Sequence, residues 1–351
     1  MTQQRKREIL GAFVSGLRRY VVAATWVYYT LLFSWAVGFL VTGDRYPVLM
    51  VLNIAALYLF LPIPLALIVA ILIPRRELWI GAGTSILLFL AMWGQLFLPR
   101  TRAEEANVPT LTVMNYNVRG YNQDASASVE LIRRVDADVV IMQEVNHKLA
   151  EALAEELREA YPYQVLDPYD DVRGMGSISK LPLQVADGNL PLEWVGTPQI
   201  LALEWEGEKV TLVNFHMWAV GLGPMRYMEI NARAREAHAL YLVDFANGAA
   251  QEGPVIVAGD ANATPQSDTY RIMARWLEDS WTEAGTGFGH TFPGSPGSES
   301  PVIYGIPLPR WLFRIDYVFH SPDLEAVDAF MAPFDGVSDH RGVVVTLSLG
   351  E

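Results

Sequence analysis

Three apolar runs fill most of the first hundred residues: Tyr20 to Val41, Val48 to Ile73 and Leu78 to Leu98. Each reaches the ~20 residues a helix needs to cross a ~30 Å hydrocarbon layer. Buried core helices seldom run so long with so few charges. The pattern predicts a membrane domain, 1–98, of three transmembrane helices, the second bent at Pro62 and Pro64. Residues 99–109 are polar and proline-bounded and read as a linker. From Thr110 onward, in 110–351, the period shortens. Apolar runs bounded by turn residues predict strands at Leu111–Met114, Val139–Met142, Val210–Phe215, Val255–Ala258, Ile315–Phe319 and Val343–Leu347. Amphipathic spacing predicts helices at Ser128–Val135, Lys148–Ala160 and Tyr227–Ala246, and Gly285 to Pro309 reads as a long loop. Strands alternating with helices indicate an α/β domain whose helices cover sheet faces.

Charge adds direction. Residues 1–102 carry 10 Lys/Arg against 3 Asp/Glu, whereas the rest of the chain carries 16 against 36. Arg5, Lys6, Arg7, Arg18 and Arg19 precede the first run, and Arg75 and Arg76 separate the second from the third. The positive-inside rule puts these segments in the cytoplasm and, after three spans, the second domain outside the cell membrane. An acidic domain repels long polyanions and fits a dedicated DNA binder poorly. The chain has no cysteine, which excludes disulfides, thiolate zinc sites and a cysteine nucleophile.

Polar residues gather at the strand ends. Asn115 and Asn117 close the first strand, Gln143 and Glu144 the second, Asn214 and His216 the third, and Asp260 and Asn262 the fourth. Asp316 lies in RIDYVFH, and Ser338, Asp339 and His340 precede the last strand. Any one cluster is an ordinary turn. Six at matching strand ends describe a pocket where loops converge. Oxygen donors from Glu, Asp and Asn suit a hard cation such as Mg²⁺ or Mn²⁺. An Asp beside a His supplies general acid/base chemistry, as phosphate-ester hydrolysis requires.

With these residues in place, the chain from Thr110 resembles the endonuclease/exonuclease/phosphatase, or DNase I-like, superfamily. NYNVRG, QEV, GMGSISKLPL, NFHMW, GDANATP, RIDYVF and SDH occur in the family's order, with Lys180 where Arg is more usual. The resemblance implies a four-layer α/β/β/α sandwich of two mixed sheets and metal-dependent phosphoester hydrolysis. It implies Asn117, Glu144 and Asp339 at the metal, His216 on the scissile phosphate, Asp260 at the attacking water and Asn262 on a phosphate oxygen. Asp316 is expected to pair with His340, which would serve as general acid/base or contact the phosphate, and the partner of His216 stays open. His147, His238, His290 and His320 read as packing, loop or helix-start residues.

Three spans ahead of such a domain also resemble VanJ-type membrane proteins linked to glycopeptide resistance. That resemblance implies a lipid phosphate or polyprenyl pyrophosphate at the bilayer as substrate, in preference to nucleic acid. Trp194, Met217, Trp218, Leu222, Trp311, Leu312 and Phe313 are the candidates for a lipid-facing rim near His216 and Asp316, and ordinary core packing explains most of them equally well. An extracytoplasmic nuclease and a catalytically inactive scaffold are the alternatives. The intact acids and histidines argue against the scaffold. Monoester against diester or pyrophosphate cleavage, and one metal against two, stay open.

Overall fold

The computed structural model describes residues 3–98, 108–122, 124–221, 224–297, 300–303 and 305–350. Most of the expected linker, residues 99–107, lies outside them, as does Leu222. The chain divides into two compact units, Met1–Gln95 and Leu96–Glu351.

The first unit is helical: α1 (Gln3–Thr42), α2 (Pro47–Ile54), α3 (Ile63–Leu72) and α4 (Arg76–Trp93). Among the described residues, Gln3–Thr42 and Arg76–Phe97 are long and apolar enough to cross a membrane. The count becomes three if Pro47–Ile54 and Ala56–Leu72, bent by 78° at their junction, form one span. The bend therefore comes ahead of Pro62 and Pro64, at Ala55, where α2 ends and a 3₁₀ turn over Ala56–Phe60 begins. Pro64 sits in the first turn of α3, where its missing N–H costs nothing. Buried polar contacts tie α1 to the bent pair: Trp35 Nε1 donates to Asn53 Oδ1 at 3.0 Å, and Asn53 Nδ2 to Asp44 Oδ1 at 2.7 Å.

In the second unit the chain order is β1 (Thr110–Asn117), α5 (Ala125–Val135), β2 (Val139–Gln143), α6 (His147–Glu156), β3 (Tyr163–Asp167) and β4 (Met175–Ser179). There follow β5 (Leu183–Val185), β6 (Gln199–Trp205), β7 (Glu208–His216), α7 (Met225–Ala249), β8 (Val255–Asp260) and α8 (Asp268–Met273). The chain ends with β9 (Glu278–Asp279), α9 (Ser280–Ala284), β10 (Val302–Ile303), β11 (Ile306–Pro307), β12 (Asp316–His320), β13 (Leu324–Met331) and β14 (Val343–Leu349). Two six-stranded mixed sheets result, ordered β13-β14-β1-β2-β4-β3 and β5-β6-β7-β8-β12-β9. Each has one parallel pair at its centre, β1 with β2 and β7 with β8, joined across a helix.

The central strands are buried on both faces, which is why they read as nearly unbroken apolar runs. One face of β1 and β2, with Met114, Tyr116, Val140 and Met142, packs on Val129 and Ile132 of α5 and Leu149 and Leu153 of α6. One face of β7, β8 and β12, with Val213, Phe215, Val257 and Phe319, packs on Leu242 of α7 and Met273 of α8. The other faces meet each other, giving a helix–sheet–sheet–helix sandwich.

Polar side chains stitch the two sheets together. Asn115 Nδ2 donates to the Gly259 and Tyr317 carbonyls at 3.1 and 3.2 Å. Gln143 Nε2 donates to Asn115 Oδ1 and Asn214 Oδ1 at 2.9 and 2.8 Å, and Asn214 Nδ2 to the Met142 carbonyl at 3.0 Å. Asn115, Gln143 and Asn214 thus belong to the core, Asn115 and Asn214 lying one pleat below the site and Gln143 reaching down to them.

Candidate active site

Strand alternation decides which side chains reach the pocket. Asn117 and His216 lie two residues beyond Asn115 and Asn214, on the same inner face, at the point where β1 and β7 end. In the second sheet His216 stands opposite Asp260, and Asp260 opposite Asp316. Three neighbouring strands therefore set His216, Asp260 and Asp316 abreast at one edge.

Asn117 joins the two sheets there. Its Nδ2 donates to Glu144 Oε1 at 3.0 Å and to Asp260 Oδ2 at 3.1 Å. Glu144 follows β2 with φ 63°, a left-handed conformation that L residues rarely hold. Its Oε2 accepts from the Gly120 N–H at 2.9 Å. A Cβ on Gly120 or Gly174 would collide with the Asp171 or the Val145 carbonyl, so both loops need glycine at these crossings. His216 Nε2 lies 3.6 Å from Asp260 Oδ2 and 3.9 Å from Glu144 Oε1. Its Nδ1 donates to the Val172 carbonyl at 3.2 Å, which supplies the partner that sequence left open. Opposite, His340 Nδ1 pairs with Asp316 Oδ2 at 2.9 Å, as expected, with its Nε2 3.9 Å from Asp260 Oδ2. Asn262, at φ 48°, donates its backbone N–H to Asp260 Oδ1 at 2.8 Å and its Nδ2 to the Met217 carbonyl at 3.0 Å. Asp339 is only partly buried, and its charge acts on both Glu144 and His340.

The electrostatics follow from crowding acids away from water. Burial raises Glu144, although the Gly120 and Asn117 hydrogen bonds oppose it. Burial and the neighbouring Asp316 push Asp260 up to about 6. Burial lowers His216. Burial alone would lower His340 too, but the charge and hydrogen bond of Asp316, with Asp260 and Asp339, hold it well above the ordinary imidazole value. Burial thus favours the neutral imidazole at His216, and Asp316 favours the protonated one at His340, a pairing suited to acid–base work.

A sequence profile of the Endonuclease/Exonuclease/phosphatase family matches residues 114–340. The chain belongs to this family. As a member, it is a hydrolase acting on phosphate esters. Solved structures of similar fold include truncated Caenorhabditis elegans TDP2, with 18% identity over 68% of this chain and 98% of that one, at a TM-score of 0.52. D. rerio TDP2 complexed with single strand DNA product has 18% identity over 68% and 99%, at a TM-score of 0.53. An endonuclease/exonuclease/phosphatase from Beutenbergia cavernae has 20% identity over 69% and 72%, at a TM-score of 0.50. The search of curated proteins found no match.

Members of the endonuclease/exonuclease/phosphatase family typically depend on divalent metal, and the donor set here fits a cation. Asn117 and Glu144, which meet at 3.0 Å, and the half-buried Asp339, whose charge reaches Glu144, offer the oxygen donors a hard cation takes. The buried cluster of Asp260, Asp316 and His340 beside them, with one ligand atom each within 4.8 Å of the others, is bound up in the His340–Asp316 pair. Asp316 Oδ1 is buried with no hydrogen-bond partner. Asn117, Glu144, His216, Asp260, Asp316 and His340 come together, with Asn262 braced against Asp260. Lys180 instead pairs at 2.8 Å with Asp136, after the far end of β4. Two rim candidates are corrected: Trp194 and Met217 are buried in the core against α7, while Trp218 is 36% exposed and Trp311, Leu312 and Phe313 are partly buried. His238 is a packing residue, stacked on Trp194 with centroids 3.9 Å apart. His320 ends β12, buried against Glu283 at 2.9 Å.

One supporting pair went unread in the sequence. Arg314 Nη1 and Nη2 donate to the two oxygens of Asp279 at 2.9 and 2.7 Å, both side chains 4% exposed. The pair clamps the start of β12 two residues before Asp316. Arg314 is visible in the RID motif, but only the fold reveals that Asp279 is its partner.

Proposed function

We propose that the protein is a membrane-anchored, metal-dependent phosphoesterase that hydrolyses a lipid-linked phosphate ester or pyrophosphate at the outer face of the cell membrane. The observation that carries the catalytic part is the row His216–Asp260–Asp316, faced by Glu144 and Asn117 from the other sheet and completed by His340.

Glu144, Asn117 and Asp339 would hold Mg²⁺ or Mn²⁺, which when bound supplies neutralisation of the phosphoryl oxygens. Asp260, braced by the Asn262 N–H, orients and deprotonates the attacking water. Asn262 contacts a phosphate oxygen. His216, fixed through Val172, presents Nε2 and becomes a donor to the phosphate once it takes a proton, which the charge of the ester favours. His340, kept protonated by Asp316, gives its Nε2 proton to the leaving oxygen.

The lipid part of the reading is supported by the first unit, whose outer surface is apolar: Leu31, Leu65 and Leu87 are 65%, 64% and 66% exposed. The basic residues around its helices support a cytoplasmic N-terminus. The test is to assay the detergent-solubilised full chain with Mg²⁺ on phospholipids, polyprenyl pyrophosphate and DNA. Cleavage of a lipid phosphate is expected. Cleavage of DNA alone would replace this substrate reading with a nuclease, and cleavage of nothing would overturn the enzymatic one.

A further inference from the structure

Asp335 lies between the RIDYVF and SDH motifs, and its carboxylate receives four hydrogen bonds from three parts of the fold. Oδ1 accepts the Val337 and Ser338 backbone N–H groups, both at 3.0 Å. Oδ2 accepts Tyr116 Oη from β1 in a short hydrogen bond and Ser128 Oγ from α5 at 3.3 Å. Tyr116 and Ser128 are buried in the helix-facing layer, behind the sheet that carries Asn117.

The consequence runs through Ser338, which is fully buried. Its Oγ donates to the Asn117 carbonyl at 2.8 Å and accepts the His340 N–H at 3.0 Å. One hydroxyl therefore sets the spacing between the residue that bridges Glu144 to Asp260 and the imidazole that pairs with Asp316. Asp335 holds the turn that aims this hydroxyl.

We propose that Asp335 is a positioning residue: by fixing the turn before Ser338 onto Tyr116 and Ser128, it sets where the His340 imidazole stands relative to Asp260 and Asp316. Without it the Val337 and Ser338 N–H groups lose their acceptor, and the loop is free to shift by a fraction of an ångström. Misplacement of about 1 Å at a catalytic group can cost ~10²-fold in rate.

This inference depends on the hydrolase activity and on His340 acting in it, but on no particular substrate. The experiment is a double-mutant cycle in the full-length protein with bis-p-nitrophenyl phosphate and Mg²⁺, measuring kcat and KM. Asp335→Ala is expected to lower kcat about 10–100-fold with KM within about twofold, while Asp335→Asn, which keeps Oδ1, recovers most of the loss. In a His340→Ala background, Asp335→Ala should cost less than about threefold more, because the group it positions is already gone. Equal losses in both backgrounds, or an unchanged kcat per folded molecule, would overturn the proposal. If Asp335→Ala does not fold, Tyr116→Phe replaces it in the same cycle, and additive losses there would overturn the proposal equally. A wild-type protein without hydrolytic activity would sink the premise itself, a result distinct from additivity.

Discussion

Replacing Arg314 by Met should destabilise the second unit far more than an ordinary surface change, and the effect should depend on pH in a defined direction. Both partners of the Arg314–Asp279 pair are 4% exposed, and the fork is bidentate. Breaking such a pair from one side leaves a buried charge uncompensated and costs roughly 3–5 kcal/mol. Tyr270 Oη at 2.6 Å and Thr282 Oγ1 at 2.8 Å still donate to Asp279, which favours the lower half of that range. For a unit of this size that lower half corresponds to a fall in Tm of about 6–16 °C. Burial alone would raise the Asp279 carboxyl, but the Arg314 charge and hydrogen bonds hold it below its ordinary value. In the wild type the pair's stabilisation is therefore complete above the unfolded carboxylate value of about 3.9 and is lost as pH falls through the lower folded value. In the variant burial dominates, the folded carboxyl rises above its unfolded value, and protonation relieves the buried charge. The Tm gap between wild type and Arg314→Met should thus narrow as pH drops from 7 towards 4. Thermal unfolding of the detergent-solubilised full chain across that range is the assay. A gap under about 2 °C at pH 7, or one that widens in acid, would refute the reasoning.

Other outcomes can be checked on the same protein. Asp316→Asn removes the carboxylate that orients and charges His340, and kcat on bis-p-nitrophenyl phosphate should fall about 10²–10⁴-fold with little change in Tm. Glu144→Gln should shift the Mg²⁺ concentration for half-maximal activity upward by about 10–100-fold, read by titrating metal into chelator-treated enzyme. A superimposable titration would remove Glu144 from the metal site. Asn214→Leu strips the donors that satisfy the Met142 and Gly176 carbonyls and the Gln199 amide between the sheets. Denaturant unfolding should show a loss of about 2–4 kcal/mol, and a loss below about 1 kcal/mol would mean the network is dispensable.

How much of this was legible in the chain depended on whether the signal was local. The six strands read from sequence lie within or overlap β1, β2, β7, β8, β12 and β14, because central strands buried on both faces give continuous apolar runs. β13 carries no such run: at the sheet margin its LEAVDAFM pattern mixes buried and half-exposed positions and is broken by a register shift between Ala326 and Asp328. β6 has a local signal in its hairpin turn at Glu206–Gly207, both with positive φ and marked by the glycine, but no strand-end Asp or His of the kind that closes β7 and β8. Strand-end polar clusters announced the pocket but could not separate its lining from its foundations. Asn115 and Asn117 look alike in sequence, and only the point where β1 ends decides that one bonds the opposite sheet while the other bonds Glu144 and Asp260. Pairings across long separations, such as Asp335 with Tyr116 and Asp279 with Arg314, have no periodicity to betray them.

The most direct measurement of the central claim is the initial rate of bis-p-nitrophenyl phosphate hydrolysis by the purified full-length protein. Wild type and His340→Ala would be compared, each with Mg²⁺ and after chelation. The geometry of Asn117, Glu144, Asp260, Asp316 and His340 predicts turnover that needs metal and falls at least about 10²-fold in the variant. Turnover that persists undiminished in His340→Ala, or survives complete metal removal, would contradict it.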